Sequence, residues 1–167
     1  FPRCTFPEIR RIIFDLFPRL FSQFLFMFDE NVRTDKDAIE TDGIVLDLFV
    51  KVIQTTRNTI DVEILTRQLA NIVSSSPRES FSLQLLSFRS LCLALSVVSV
   101  SSRGGSKSRA EGALSAAAFD ILAKVTSSAS EESDTCKKKK LEEMLKVLPS
   151  SALPDIAKQI ELEIRKI

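Results

Sequence analysis

At 167 residues and 18.7 kDa the chain has the size of one medium domain, with enough surface to bury a core. Hydrophobic residues at 44% and charged residues at 27% give a globular composition, and 23 basic against 22 acidic side chains leave a net charge of +1. Such a balance provides no field to gather nucleic acid, so direct nucleic-acid binding is not expected. The absence of His excludes Ser-His-acid and Cys-His nucleophile systems and any His-ligated zinc.

The three cysteines, Cys4, Cys92 and Cys136, stand singly, without a C-x-x-C pair. An odd, sparse count argues against a disulfide-built secreted domain and fits a reducing compartment, so the chain is expected to be cytoplasmic. It opens on Phe1, which reads as a piece of a longer protein. No catalytic residues, cofactor or metal site are expected, and an enzyme is not.

Thr5-Phe6-Pro7-Glu8 has the form of a capping box, and the run Ile9 to Phe28 behind it is intensely apolar. It holds Phe14, Phe17, Phe21, Phe24, Phe26 and Phe28, with Pro18 predicting a kink or two shorter helices. Asp15, Arg19 and Gln23 fall four apart on one face, a stripe that is costly in lipid, so the run is read as a helix buried in protein and no membrane is expected. Asp15 and Pro18 also break the apolar centre that a signal peptide needs.

Asp29 to Asp42 is polar and reads as a loop with a short turn. Gly43 to Thr56 is a predicted helix with a broad apolar face of Ile44, Leu46, Leu48, Phe49, Val52 and Ile53. Asn58-Thr59 offers a cap for a helix from Ile60 to Ser74, carrying Ile64, Leu65, Leu69, Ile72 and Val73. Ser76-Pro77-Arg78-Glu79 combines an N-cap Ser, Pro at the first helical position and an early Glu. It opens a leucine helix through Leu83, Leu85, Leu86, Leu91, Leu93 and Leu95 to about Val98.

Residues 99–107 read as a flexible, mildly basic Gly-Ser loop. Ser108 and Glu111 cap an Ala-rich helix from Ala110 to Thr126, and residues 127–136 form a second loop. Lys137 to Leu148 and Pro154 to Ile167 supply two amphipathic helices, the second lined by Ile156, Ile160, Leu162 and Ile164. The fold is therefore expected to be all-α, about six to eight helices in a single domain over 1–167. Helix centres near Leu16, Leu48, Leu85 and Ile121 lie about 32 to 37 residues apart, the spacing of stacked helical hairpins. An α-solenoid or irregular helical-repeat segment is the preferred form.

Lys137, Lys138, Lys139 and Lys140 are a possible basic patch, for nuclear import or for phosphate, because clustered ammonium groups release counterions from a polyanion. The plainer reading is a solvated loop and first helical turn, balanced by acids on both sides, and it is preferred. Arg103, Lys107 and Arg109 carry no aromatic neighbour for base stacking, and Gly104-Gly105 lacks the spacing of a phosphate loop. Glu142, Glu143, Glu161 and Glu163 read as solubilising, Cys92 as a small core residue and Cys136 as a candidate reactive thiol. Eight of the twelve Phe lie in the first 28 residues, so Phe21, Phe24 and Phe28 are a possible partner surface. Core packing alone would account for them equally well.

The segments Glu63 to Leu69 and Arg78 to Ser87 place a helix, a short polar break and then a Ser-Leu-Gln-Leu-Leu-Ser helix in order. This resembles the helical-repeat arm of the PCI-type subunit M family of translation initiation factor 3. Ser80, Leu83, Gln84, Leu85, Leu86 and Ser87 keep the pattern, whereas Phe81 and Ser82 depart from it. The later order agrees too, with Asp120 to Ser127 followed by Leu141 to Leu148 and the Gly-Ser loop as an insertion. The resemblance covers about 25 residues convincingly and does not extend to the Phe-rich opening. It implies a non-catalytic subunit that packs against other protein subunits of a multisubunit complex and helps to recruit the small ribosomal subunit. The rival expectation is a HEAT- or armadillo-like adaptor in nuclear transport, chromatin or vesicle traffic, with the four lysines as its import or phosphate patch.

Overall fold

A computed structural model describes residues 35–57, 59–75, 80–101, 109–127, 133–149 and 153–167. These residues form six helices and no strand, as the 3.6-residue spacing of the apolar positions requires. They are α1 (Asp35–Thr55), α2 (Thr59–Ser75), α3 (Phe81–Ser101), α4 (Arg109–Ser127), α5 (Asp134–Val147) and α6 (Pro154–Lys166). The proposed caps at Thr5, Asn58, Ser76 and Ser108 lie outside the described residues, as does the run Ile9 to Phe28.

Three expected loops are shorter than their composition suggests. Residues 35–42, read as loop, are the first two turns of α1. Polar residues at a helix end carry no apolar period, so the spacing that marks the rest of α1 does not reach them. Ser99 to Ser101 continue α3, where the Ser99 hydroxyl donates to Leu95 O at 2.7 Å and so satisfies itself inside the helix. Asp134 to Cys136 are the first turn of α5, preceded by Ser133 in an extended conformation. Pro154 sits at the first position of α6, where its missing N–H costs nothing, with Asp155 near the start and Arg165 and Lys166 at the end to suit the dipole.

The core runs through all six helices. Leu46, Phe49 and Ile53 come from α1, Leu65 and Leu69 from α2, Phe88, Leu91 and Leu95 from α3, and Leu114 and Leu122 from α4. The last two helices give less, with Leu141 and Met144 from α5 and Ile156 and Ile160 from α6. Helix α4 presents Ala110, Ala117 and Ala118 inward, and these small side chains let α3 and α2 pack closely on it.

Helix α3 packs on α1, α2, α4 and α5, and its composition follows from that place. Among the described residues, Phe81–Ser99 is the one stretch long and apolar enough to cross a bilayer by length and composition. The buried centre of a helical bundle has the same composition. Its buried hydroxyls are satisfied by the helix itself: Ser87 donates to Leu83 O at 2.9 Å and Ser90 to Leu86 O at 3.1 Å. Thr66 in α2 does likewise toward Val62 O at 2.8 Å. Burying these groups therefore costs little, since an unmade hydrogen bond is the expensive outcome.

The principal packings share one order. Each helix lies against its successor, and each also lies against the helix after that: α1 on α3, α2 on α4, α3 on α5 and α4 on α6. The closest associations are α3 with α4, α2 with α4 and α1 with α3.

Candidate functional site

The four-lysine run is placed by α5, and a helix turns about 100° per residue, so four consecutive side chains cannot share a face. Lys137 is half-buried and stands 4.0 Å from Asp134, one turn back on the same helix. Lys140 is half-buried and its Nζ lies 5.4 Å from the centre of the Phe81 ring at the start of α3. That is within cation–π range, and it ties α5 to α3. Lys138 and Lys139 are exposed. The run is thus divided, two ammonium groups engaged by the protein's own side chains and two facing water. It also begins in the second turn of α5 rather than in a loop.

On α6, Glu163 is half-buried and its partners lie on its own helix. Glu163 accepts from Gln159 Nε2 at 3.1 Å and from Lys166 Nζ at 2.7 Å, both within one turn of α6. Pairs of this kind are worth about 0.3–0.5 kcal/mol. Among the described residues no group of three or more His, Cys, Asp or Glu side chains is placed to hold a metal ion.

The two described thiols differ sharply. Cys92, inside α3 and fully buried, is a core residue, and burial pushes its thiol up to about 12. Cys136 is exposed in the first turn of α5. Phe21, Phe24 and Phe28 lie outside the described residues, as do Arg103, Gly104, Gly105 and Lys107. Arg109 begins α4 and is exposed.

What the sequence reading misplaced is an apolar surface. Ile44 and Leu48, expected on the packed face of α1, are exposed, and so are Ile60 of α2 and Leu162 of α6. Phe119 on α4 and Ile167 at the end of α6 add to this set. In α1 the residues Leu46, Phe49, Val50 and Ile53 already make a complete inward stripe. Ile44 and Leu48 form a second pair, one turn apart, on the opposite side. The broad apolar set of α1 is two such stripes, and the helical angle of each residue is the signal that separates them.

The chain matches no family model, no curated protein and no solved structure.

Proposed function

We propose that the chain is a non-catalytic helical-repeat scaffold, a short α-solenoid that offers its outer helix faces to other protein subunits of a cytoplasmic multisubunit complex. The observation that supports the reading most is the packing order, in which every principal contact joins a helix to its next or next-but-one neighbour. Stacks of this kind bury each unit only against its neighbours and leave their outer faces for partners. Here Phe119, Leu162 and Ile167 supply exposed apolar anchors of the type that interfaces use. The helix–break–leucine-helix order of Glu63 to Ser87 points to translation initiation factor 3, with the small ribosomal subunit as the larger assembly.

The test is purification of the tagged protein from its own cells at moderate salt, with bound proteins identified. Co-purifying initiation-factor subunits and small-subunit ribosomal proteins are the expected result. Importins, chromatin or vesicle proteins would overturn the assembly named here, and a monomer without stable partners would overturn the scaffold itself. Exchange of Lys138 and Lys139, the two exposed lysines, for Gln should leave partner recovery unchanged.

A further inference from the structure

Helix α4 has one buried side and one bare side. Leu114, Ala118, Ile121 and Val125 belong to the buried side, and the helix packs chiefly on α3 and α2. Opposite them Gly112, Ala116, Phe119 and Ala123 recur four, three and four residues apart, so they form one stripe along a single helix. All four are exposed. A Cβ built on Gly112 meets nothing within 4 Å, and Phe119 leaves 37% of its surface to solvent. No charge falls inside the stripe, whereas the outward sides of α5 and α6 carry Lys138, Lys139, Lys158 and Arg165. Arg109 and Asp120 stand within about 20° of one another around the helix and line one edge of the stripe. Both are exposed, and neither enters an ion pair among the described residues.

We propose that this stripe docks a second copy of the chain, the two α4 helices lying antiparallel about a two-fold axis. The charge pattern chooses this occupant. In a two-fold pair every contact occurs twice, residue i on j and j on i, so an edge that meets itself in reverse must carry both signs at equal distances from the axis. The midpoint of Arg109 and Asp120 lies between Leu114 and Ser115, and the midpoint of Gly112 and Ala116 lies at Leu114. One axis therefore serves both pairs. Gly112 comes opposite Ala116 of the second copy where the helices approach closest, and Arg109 comes opposite Asp120 of the second copy. Small side chains at the crossing let the helix axes draw near, which brings guanidinium and carboxylate within reach of each other. Phe119 of each copy then covers the first turn of α4 in the other. A second copy carries this complementary order by symmetry, whereas a foreign helix would have to supply it separately. Three turns against three turns bury less than the roughly 1,200 Å² of a standard interface, so the dimer should be weak, with a Kd on the order of 0.1 mM. Phe119 is thereby given to the second copy, and the scaffold reading keeps Leu162 and Ile167, so the two stand or fall separately.

Sedimentation equilibrium of the full chain, over about 10 µM to 1 mM, tests the assignment through a charge exchange. The wild type should pass from monomer to dimer across this range. Arg109→Asp and Asp120→Arg should each weaken self-association several-fold, because each sets like charges against one another. An equimolar mixture of the two variants should regain the wild-type affinity as a heterodimer. Gly112→Leu, which props the helices apart, should weaken the dimer by about tenfold or more. Unchanged helical circular dichroism shows that each variant is folded. A wild type that stays monomeric at the highest concentration would overturn the proposal. So would a dimer indifferent to Gly112→Leu, or a pair of charge variants that fail to rescue one another in the mixture.

Discussion

The block α1–α4 and the pair α5–α6 are built from the same element in two different ways. In the block, long helices meet over wide faces, and α3 is surrounded by four others, so that Phe88, Leu91, Cys92 and Ala94 reach zero exposure along a single helix. The pair is shorter, at 14 and 13 residues, and fixes itself with two buried side chains from each helix. Apolar burial is worth about 25 cal/mol per Å², so stability should be concentrated in the block and the pair should open more easily. The difference shows how one helical grammar yields a rigid centre and a looser end without any change of secondary structure.

The largest effect expected from a single substitution follows directly. Phe88→Ala should lower global unfolding stability by about 3–5 kcal/mol, read by denaturant titration of circular dichroism. Met144→Ala should cost about 2 kcal/mol, expressed chiefly as easier opening of α5 and α6. Equal shifts in the global midpoint from the two variants would erase the distinction.

Cys92 sharpens the comparison through pH. Its thiol stands at about 12 in the fold against an ordinary 9.0, so the folded state holds a proton that the unfolded chain releases. The stabilisation is fully present below pH 9.0 and is lost as pH rises from there through about 12. Between those limits the protein should lose about 1.4 kcal/mol per pH unit more than Cys92→Ala does, measured as the difference in unfolding free energy between the two. Parallel pH profiles for the two proteins would mean that the centre of α3 is not dry.

Smaller effects probe the helices one by one. Gly112 lies within α4 and a Cβ there would meet nothing within 4 Å, so Gly112→Ala should stabilise by about 0.5–1 kcal/mol through helix propensity alone. A loss of melting temperature would contradict the described course of α4. Smallest is the contact between blocks, Lys140 on Phe81, whose coupling in a double-mutant cycle with Lys140→Gln and Phe81→Leu should be about 0.5 kcal/mol.

Much of the fold was legible in the sequence because the apolar spacing is strong. Residues 60–74, 110–126 and 154–167 were expected as helices and lie within one or two residues of α2, α4 and α6. The first turns of α1 and α5 were not, because polar residues at a helix end carry no apolar period, and dipole and capping effects there are worth only about 0.3–1 kcal/mol. The division of the lysine run between Asp134, Phe81 and solvent was equally hidden, since composition records four charges but not their angles about α5. Ile44 and Leu48 show the same limit for apolar residues. Period places both on a helix face, and only the neighbouring helices decide which face is packed.

Native-state hydrogen exchange on the full chain, followed peptide by peptide, addresses the contrast between block and pair most directly. Amides in α5 and α6 should exchange through an opening of lower free energy than those at the centre of α3, with α1, α2 and α4 close to α3. Uniform protection across the six described helices, or protection greatest in α5 and α6, would contradict a fold whose strength is concentrated around α3.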